Sequence, residues 1–562
     1  MVHIQSLLYG SLTFALAAAI PSAATRQACN DITAALPGLD NVARPNSMRY
    51  NSEINDYYNH GLANLKPACV TFPKNALDVS KIVQVLNKYP DVKFAVKSGG
   101  HSPNEGAASV ADGVLVALRD VTGTQYDAAK QVAYVKPGGH WFEVLAALAP
   151  TGRTVVGGRL GIVGIGGYLM QGGVSFISGQ YGLAADNIVE YETVLANGTI
   201  AKINMDNNKD LMQAMRGAGS QFGITTKFTL RTYPIEKLWV GVRVYEVPHA
   251  DFYNAFQDFI DNYSNHPNSA TLYPLLASFD GIGPKASQAD LQTKNLMQQA
   301  FDSLAGYSAL RSEDYTAAFG TTKSAAAAAP KKNGTYIFPL LVNGPEPTSG
   351  TYAEMDKLPV KNQFGGSVLY ADIINVSNAI WPLLGSMRTS FRTITLPTQK
   401  GNPGFFAEIE SMWNEISAKH YKTAKGIVSH NIVAQPFPQA FGNESEARGG
   451  NAMGLTAKDK GRYVLEIAGL YVNDADAAMM QAVGKEFTDT LERHLQRTLR
   501  RNVLQASAVE SYLPLFMNDA GSDQDVFGTY KEAAKIAALQ KSVDPNGLWS
   551  KRAGGYKIRT GI

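Results

Sequence analysis

Phe94-Ala95-Val96-Lys97-Ser98-Gly99-Gly100-His101-Ser102 sets a histidine directly after two glycines and a short apolar run. The apolar residues read as a buried strand. The glycine pair lets the backbone turn tightly and present bare N–H groups, with no Cβ to hold an anion away. His101 is thereby fixed at the lip of a phosphate-sized hollow; the competing reading is a structural histidine in a surface turn. A second stretch, Gly157 to Gly173, is too rich in glycine for a helix or a regular strand, and suggests backbone lying close to something flat and large. Candidate acids and bases are Tyr168, Asp519, Glu408 and Glu410. Glu408 and Glu410 share a face if their segment is a strand. Asp519, near the reference value of about 3.9, is a weak base for an alcohol proton unless desolvated, and its competing reading is a surface or capping residue.

The elements that must position these groups follow from periodicity. Ala76, Val79, Ile82, Val83 and Leu86 predict a helix over 75–87, packed ahead of the strand that leads to His101. Val114 to Leu118 and Gln131 to Lys136 read as strands, and Trp141 to Leu148 as a helix whose start carries His140 in a structural role. Thr193 to Ile203 reads as two strands about Asn197-Gly198. From Leu238 the pattern changes to long alternating strands at Val240 to Tyr245, Thr335 to Leu341, Gly426 to Ala434 and Tyr463 to Tyr471, interleaved with helices such as Phe252 to Ile260. That order predicts an antiparallel sheet with helices on one face. Thr321 to Pro330 reads as a loop, and Arg497 to Arg501 as a solvated helical face.

At 562 residues the chain suggests two domains. A net charge of +3 with no basic run interleaved with aromatics argues against a nucleic-acid partner. Leu7 to Ile20, followed by Pro21 and Ser22-Ala23-Ala24, reads as a signal peptide over 1–24, although the n-region lacks Lys and Arg; no other segment reads as a membrane span. Cys29 and Cys69 are the only cysteines, and an even count in a secreted chain predicts one disulfide; the alternative is two buried free thiols. Sequons at Asn197, Asn262, Asn333, Asn375 and Asn443 permit glycosylation.

Taken in order, the Gly-Gly-His turn, the glycine-rich stretch, Asp186-Asn187-Ile188-Val189, Asp210 to Ile224, Asp544 to Trp549 and Gly554-Gly555-Tyr556-Lys557 resemble motifs of the vanillyl-alcohol-oxidase superfamily. They resemble specifically its berberine-bridge-enzyme-like branch, closely over 67–237 and more loosely over 425–562. The resemblance implies an α+β, two-domain flavoprotein. Its parts are an N-terminal arm (25–66), an FAD-binding domain (67–237), an antiparallel-sheet substrate domain (238–510) and a C-terminal segment (511–562) that completes the FAD domain. It implies FAD bonded through its 8α-methyl to His101, and cofactor contacts from Val96, Lys97, Ser98, Gly99, Gly100, Ser102, Gly158, Gly161, Val163, Gly164, Gly166, Gly167, Gly172, Gly173, Gly182, Asp186, Asn187, Val189, Gly223 and Asn518. Leu160 stands where many relatives carry a second, cysteine tether, which implies a single link. Gly158 implies room for oxygen beside the flavin, unless it only serves the turn.

The implied activity is a secreted, monomeric oxidoreductase passing a hydride from a small molecule to flavin N5, with O2 as acceptor giving H2O2. Where relatives show Tyr-x-Asn-Tyr this chain reads Phe516-Met517-Asn518-Asp519, so the tyrosine's role does not carry over. Asn518, Tyr168, Asp519 and Glu410 remain as catalytic candidates. The apolar Phe516-Met517 pair leans toward a secondary metabolite or alcohol. A carbohydrate oxidase and a weakly catalytic, antigen-like flavin binder stand as alternatives.

Overall fold

Short buried strands joined by amphipathic helices build the first half of the chain, and long alternating strands build the second. A computed structural model describes residues 21–559, apart from 236, 263–266, 271–272, 283–332, 348–349, 375–386, 399–401, 403 and 504–511. Most of the expected signal peptide, the run Thr321 to Pro330 and the sequon at Asn375 lie outside the described residues. Among the described residues no helix is long and apolar enough to cross a membrane.

Helix α1 (Ala23–Ala35) begins just inside the segment expected to be signal peptide, with Ser22 accepting from the Thr25 amide as its cap. Cys29 on α1 is bonded to Cys69, which opens strand β2. Strands β1 (Val42–Ala43), β2 (Cys69–Thr71), β3 (Phe94–Lys97) and β4 (Val114–Ala117) form a sheet in the order β1-β2-β4-β3. Because β4 runs parallel to both β2 and β3, a crossover is required. Helix α2 (Ala76–Asn87) supplies it between β2 and β3, burying Val79, Ile82, Val83 and Leu86 along one stripe, with Asn75 capping its first turn.

A second sheet contains β5 (Thr124–Asp127), β6 (Val132–Val135), β7 (Ile188–Val194), β8 (Ile200–Asn204) and β9 (Ile224–Arg231), in the antiparallel order β5-β6-β9-β7-β8. Helix α3 (Trp141–Leu148) follows β6 and buries Trp141 completely. The glycine-rich stretch departs from expectation, because its centre forms a short helix, α4 (Ile165–Met170). Glycine is a poor helix former, but here Ser98 accepts from the Gly166 amide, and a Cβ on Gly166 would come within 3.2 Å of the Ser98 side chain. Tertiary contact overrides propensity at that point.

The long strands form two four-stranded antiparallel sheets. One contains β10 (Leu238–Pro248), β11 (Ser269–Ala270), β13 (Asn333–Asn343) and β14 (Val360–Val368), in the order β11-β13-β10-β14. The other contains β12 (Tyr273–Ile282), β15 (Arg388–Pro397), β16 (Ile427–Phe437) and β17 (Arg462–Tyr471), in the order β12-β16-β17-β15. Period-two alternation divides their faces. Tyr463, Leu465 and Ile467 enter a core shared with helices α5 (His249–Asp261), α6 (Phe405–Tyr421) and α7 (Ala477–Val503), whereas Val464 joins the core of the first domain. Glu466 falls on the same parity as Val464.

Glu408 and Glu410 lie on α6, so the condition under which they would share a strand face is not met. Phe405, Phe406, Ile409, Trp413 and Ile416 recur at helical spacing and are buried. Glu408 pairs with His494 of α7 at 2.8 Å, and Glu410 acts on Tyr253 and Tyr336 within the helical layer. Neither is placed for catalysis in the cavity described below. The C-terminal segment returns to the first domain. Ala553 bridges to Phe94, Trp549 packs edge-on against Phe94 at 5.5 Å, and Gln221 donates to the Tyr556 carbonyl at 2.8 Å.

Candidate active site

One cavity of about 280 Å³ takes residues from the N-terminal arm, the His101 turn, the glycine-rich stretch, β9, β15, β17 and the C-terminal segment. Its first wall is mostly backbone. Gly99 and Gly164 touch so closely that a Cβ on Gly99 would lie 2.5 Å from the Gly164 Cα. Ser98 ties the turn to both neighbours, its hydroxyl donating to the Pro137 carbonyl and accepting from the Gly166 amide. Gly100 takes φ +66°, which a side chain would strain. Val96, Ser98, Gly99, Gly100, His101, Ser102, Val163, Gly164, Gly166, Gly167 and Gly223 all line the cavity.

The His101 ring stacks on Tyr58 at 4.0 Å and 16°. Its Nε2 is buried with no hydrogen-bond partner among the described residues. Burial, with some repulsion from His140, pushes the imidazole down to about 3, so it stays neutral. A neutral, partnerless nitrogen beside a cradle of close-packed glycines fits a large flat cofactor with phosphates.

Several residues expected to contact the cofactor lie outside the cavity lining. Lys97 points away from the cavity into a buried ion pair with Glu53 at 2.6 Å, its ammonium also over the Tyr57 ring. Removing one partner of such a pair costs about 3–5 kcal/mol, so Lys97 supports the turn from behind. Gly161, Gly172, Gly173, Gly182, Asp186, Asn187 and Val189 are not among the lining residues. Gly161 donates to the Ile374 carbonyl at 3.0 Å, and the Gly173 amide donates to Asn518 Oδ1 at 3.0 Å. Asp186 is buried and accepts from the Leu183 amide and from Asn451, and Asn187 donates to the carbonyls of Tyr181 and Leu183. Gly172, Gly173 and Gly182 take positive φ in the turns there, and Val189 sits within β7. These residues shape the scaffold behind the wall.

Gly158 does line the cavity, but the void expected beside it is filled. A Cβ there would lie 2.4 Å from Trp141 Cδ1, so the glycine serves the approach of that ring. Tyr168 lines the cavity with its hydroxyl already donated to the Gly157 carbonyl at 2.9 Å. Burial raises that hydroxyl well above the usual tyrosine range, which favours its protonated, donating form.

The second wall is made of side chains. Phe391 of β15, Glu466 of β17, and Phe516, Asn518 and Asp519 of the C-terminal segment share it. Arg159 Nη2 donates to Gln435 Oε1 at 2.6 Å, and Gln435 Nε2 donates to Asp519 Oδ2 at 2.6 Å. Asp519 is therefore neither a surface nor a capping residue. Burial raises its carboxyl above the ordinary range, against the pull of Arg159. Glu466 is raised further, by burial first and by Asp519 second, again opposed by Arg159. Two interacting carboxyls in one low-dielectric cavity retain a proton between them near neutral pH, so the pair can offer both a donor and an acceptor.

Glu466, Arg159, Gln435 and Tyr58 were not among the candidates read from the sequence. A signal existed for two of them: Glu466 interrupts the apolar run Tyr463 to Ala468, and Gln435 follows Val433-Ala434. A polar residue at an inward position of a central strand needs a partner or a task.

Residues 67–204 match the family described as FAD binding domain. An uncharacterized FAD-linked oxidoreductase of Arthroderma benhamiae is 28% identical over 533 residues, covering 92% of each chain. A FAD-dependent monooxygenase of Emericella nidulans is 28% identical over 527 residues, covering 92% of this chain and 95% of that one. Among solved structures, the BBE-like 1 protein of Physcomitrella patens superposes with TM-score 0.64 at 17% identity, covering 96% of this chain and all of the other. A xylooligosaccharide oxidase of Myceliophthora thermophila does so with TM-score 0.65 at 17% identity, over 95% of this chain and all of that one. The chain thus carries an FAD-binding domain within the two-domain fold of berberine-bridge-enzyme-like flavoenzymes.

Proposed function

We propose that this chain is an FAD-dependent oxidoreductase acting on a small, largely apolar substrate that bears a hydroxyl or similarly acidic proton. Glu466 serves as the base and His101 as the single covalent anchor of the cofactor. The observation that carries this reading is the presence of Glu466 and Asp519 in one cavity with His101 and the glycine loops. Bound FAD supplies the hydride acceptor. The close-packed backbone around Ser98 to Ser102 and Gly164 to Gly167 would hold it, and Leu160 offers no sulfur for a second bond. Glu466, which binds a proton more tightly than Asp519, takes the substrate proton once the pair has given up the one it shares, with Asp519 held beside it by Gln435 and through it Arg159. Phe391, Phe516, Val163 and Met170 give apolar walls that exclude water and favour a hydrophobic ligand.

The segment 1–24 and the exposed sequons at Asn197 and Asn443 support entry into the secretory pathway. Oxygen as acceptor is supported by the oxidases among the structural neighbours, and no longer by Gly158. Purified protein should remain yellow after acid precipitation, and a flavopeptide should contain His101. Mixed without oxygen, hydroxylated aromatics and apolar alcohols should bleach the flavin, and peroxide should appear in air. Bleaching by oligosaccharides alone would move the reading to a carbohydrate oxidase. No bleaching by any class would favour a flavin binder.

A further inference from the structure

The N-terminal arm takes part in the cavity, and it does so through one residue. Tyr58 lines the cavity and stacks face to face on His101, with Phe391 tilted against both rings at 5.7 and 6.5 Å. The segment around it is fastened on two sides. The Tyr58 amide donates to the Gly100 carbonyl at 3.0 Å, the Tyr57 hydroxyl to the Ala108 carbonyl at 2.9 Å, and Asn59 Nδ2 to the Pro103 carbonyl at 2.9 Å. On the other side Asn59 Oδ1 accepts from the Thr389 amide at 3.3 Å, and the His60 amide donates to the Met387 carbonyl at 2.9 Å. Glu53, one turn earlier, holds Lys97 beneath the same turn. Tyr58 is thus fixed relative to both the His101 turn and β15.

An imidazole on a glycine turn is free to rotate unless something holds its plane. His101 Nε2 has no hydrogen-bond partner among the described residues, and the ring's other hydrogen bond is to the residue's own backbone; the parallel Tyr58 ring restrains its plane from a separate segment. We infer that Tyr58 is a positioning residue: its ring holds the His101 imidazole in the orientation that covalent attachment of the flavin requires. The inference rests on the proposed function, in which His101 is the anchor. In that bond an imidazole nitrogen would join the 8α carbon, one methyl proton and the imidazole N–H proton would leave, and the two electrons would reduce the ring system, from which dioxygen would take them with two protons as hydrogen peroxide.

The test is the fraction of flavin that stays with the polypeptide after acid precipitation, in full-length Tyr58→Phe, Tyr58→Leu and Tyr58→Ala, with total bound FAD measured beforehand. Tyr58→Phe should attach flavin within about twofold of the native chain. Tyr58→Leu, which keeps bulk without a ring, and Tyr58→Ala should fall at least fivefold per bound FAD. Equal attachment in the Phe and Leu proteins, whether high or low, overturns the stacking role. Complete release of flavin from the native protein overturns the anchor itself, and this inference with it. A residue that merely stabilised the fold would change FAD content without separating Phe from Leu.

Discussion

Around His101 the cavity wall is backbone. Adjacent turns meet with glycine against glycine, Ser98 ties them to Pro137 and Gly166, and Lys97 braces them from behind. Around Glu466 the wall is side chain. Its polar groups come from Arg159, Gln435, Glu466 and Asp519, four segments brought together by one sheet, the glycine-rich stretch and a returning C-terminus. A wall of backbone binds what many substrates share, the cofactor, because amide geometry admits little variation. A wall of side chains can be re-specified one residue at a time. In this chain that wall carries an aspartate, Asp519, at the end of a hydrogen-bonded relay from Arg159 through Gln435.

The sharpest way to break that contrast is Glu466→Gln. Loss of a general base typically costs 10²–10⁴-fold, so flavin reduction by substrate without oxygen should slow by about that factor while FAD content holds. A parallel loss of FAD would show that the two walls are not separable. On the other wall, replacing Cys29 and Cys69 by serine frees the arm across a separation of 40 residues. Loop-entropy reasoning gives a loss of about 4 kcal/mol, to be read by denaturant unfolding, with the flavin-binding half failing first.

Gly158→Ala tests how little the backbone wall tolerates. One methyl placed against Trp141 should cost about 1–3 kcal/mol as overpacking and lower FAD occupancy. Unchanged stability with slower reoxidation of the flavin would restore the open space expected from the sequence.

The smallest effect is electrostatic. Asp519 raises Glu466, so Asp519→Asn should let Glu466 ionise more readily. The acid limb of the hydride-transfer profile should move to lower pH, by about one unit, equivalent to about 1.4 kcal/mol. A linked stability effect follows with a definite sign. Because the folded chain holds the Glu466 proton more tightly than the unfolded chain does, stability falls as pH rises from about 4.3, the unfolded value, through the raised folded value. Glu466→Gln should flatten that decline in a series of melting curves.

How much of this could be read in advance differs between the walls. The strand before His101, the helices over 76–87 and 141–148 and the alternating strands of the second domain follow from local periodicity, which the structure reproduces within a few residues. Glycine spacing marked the backbone wall because close approach leaves a trace in composition. It did not say which glycines touch the cavity. Gly164 and Gly166 do, whereas Gly172 and Gly182 turn the chain behind it, and the same residue type serves both tasks.

By itself the sequence determined the two-part organisation, the cofactor half and the candidacy of His101, since each depends on residues adjacent in the chain. Only the tertiary structure decided the rest. Glu408 and Glu410 proved to be helix-surface groups because Ile409 and Trp413 beside them seek the helical core. Tyr168 gives its hydroxyl to a carbonyl eleven residues away, and Gly158 lost its void to Trp141. Glu466 and Asp519 became a pair across a sheet and a chain return. Their protonation depends on shared burial and on Arg159, quantities that long-range packing sets and that no local pattern encodes.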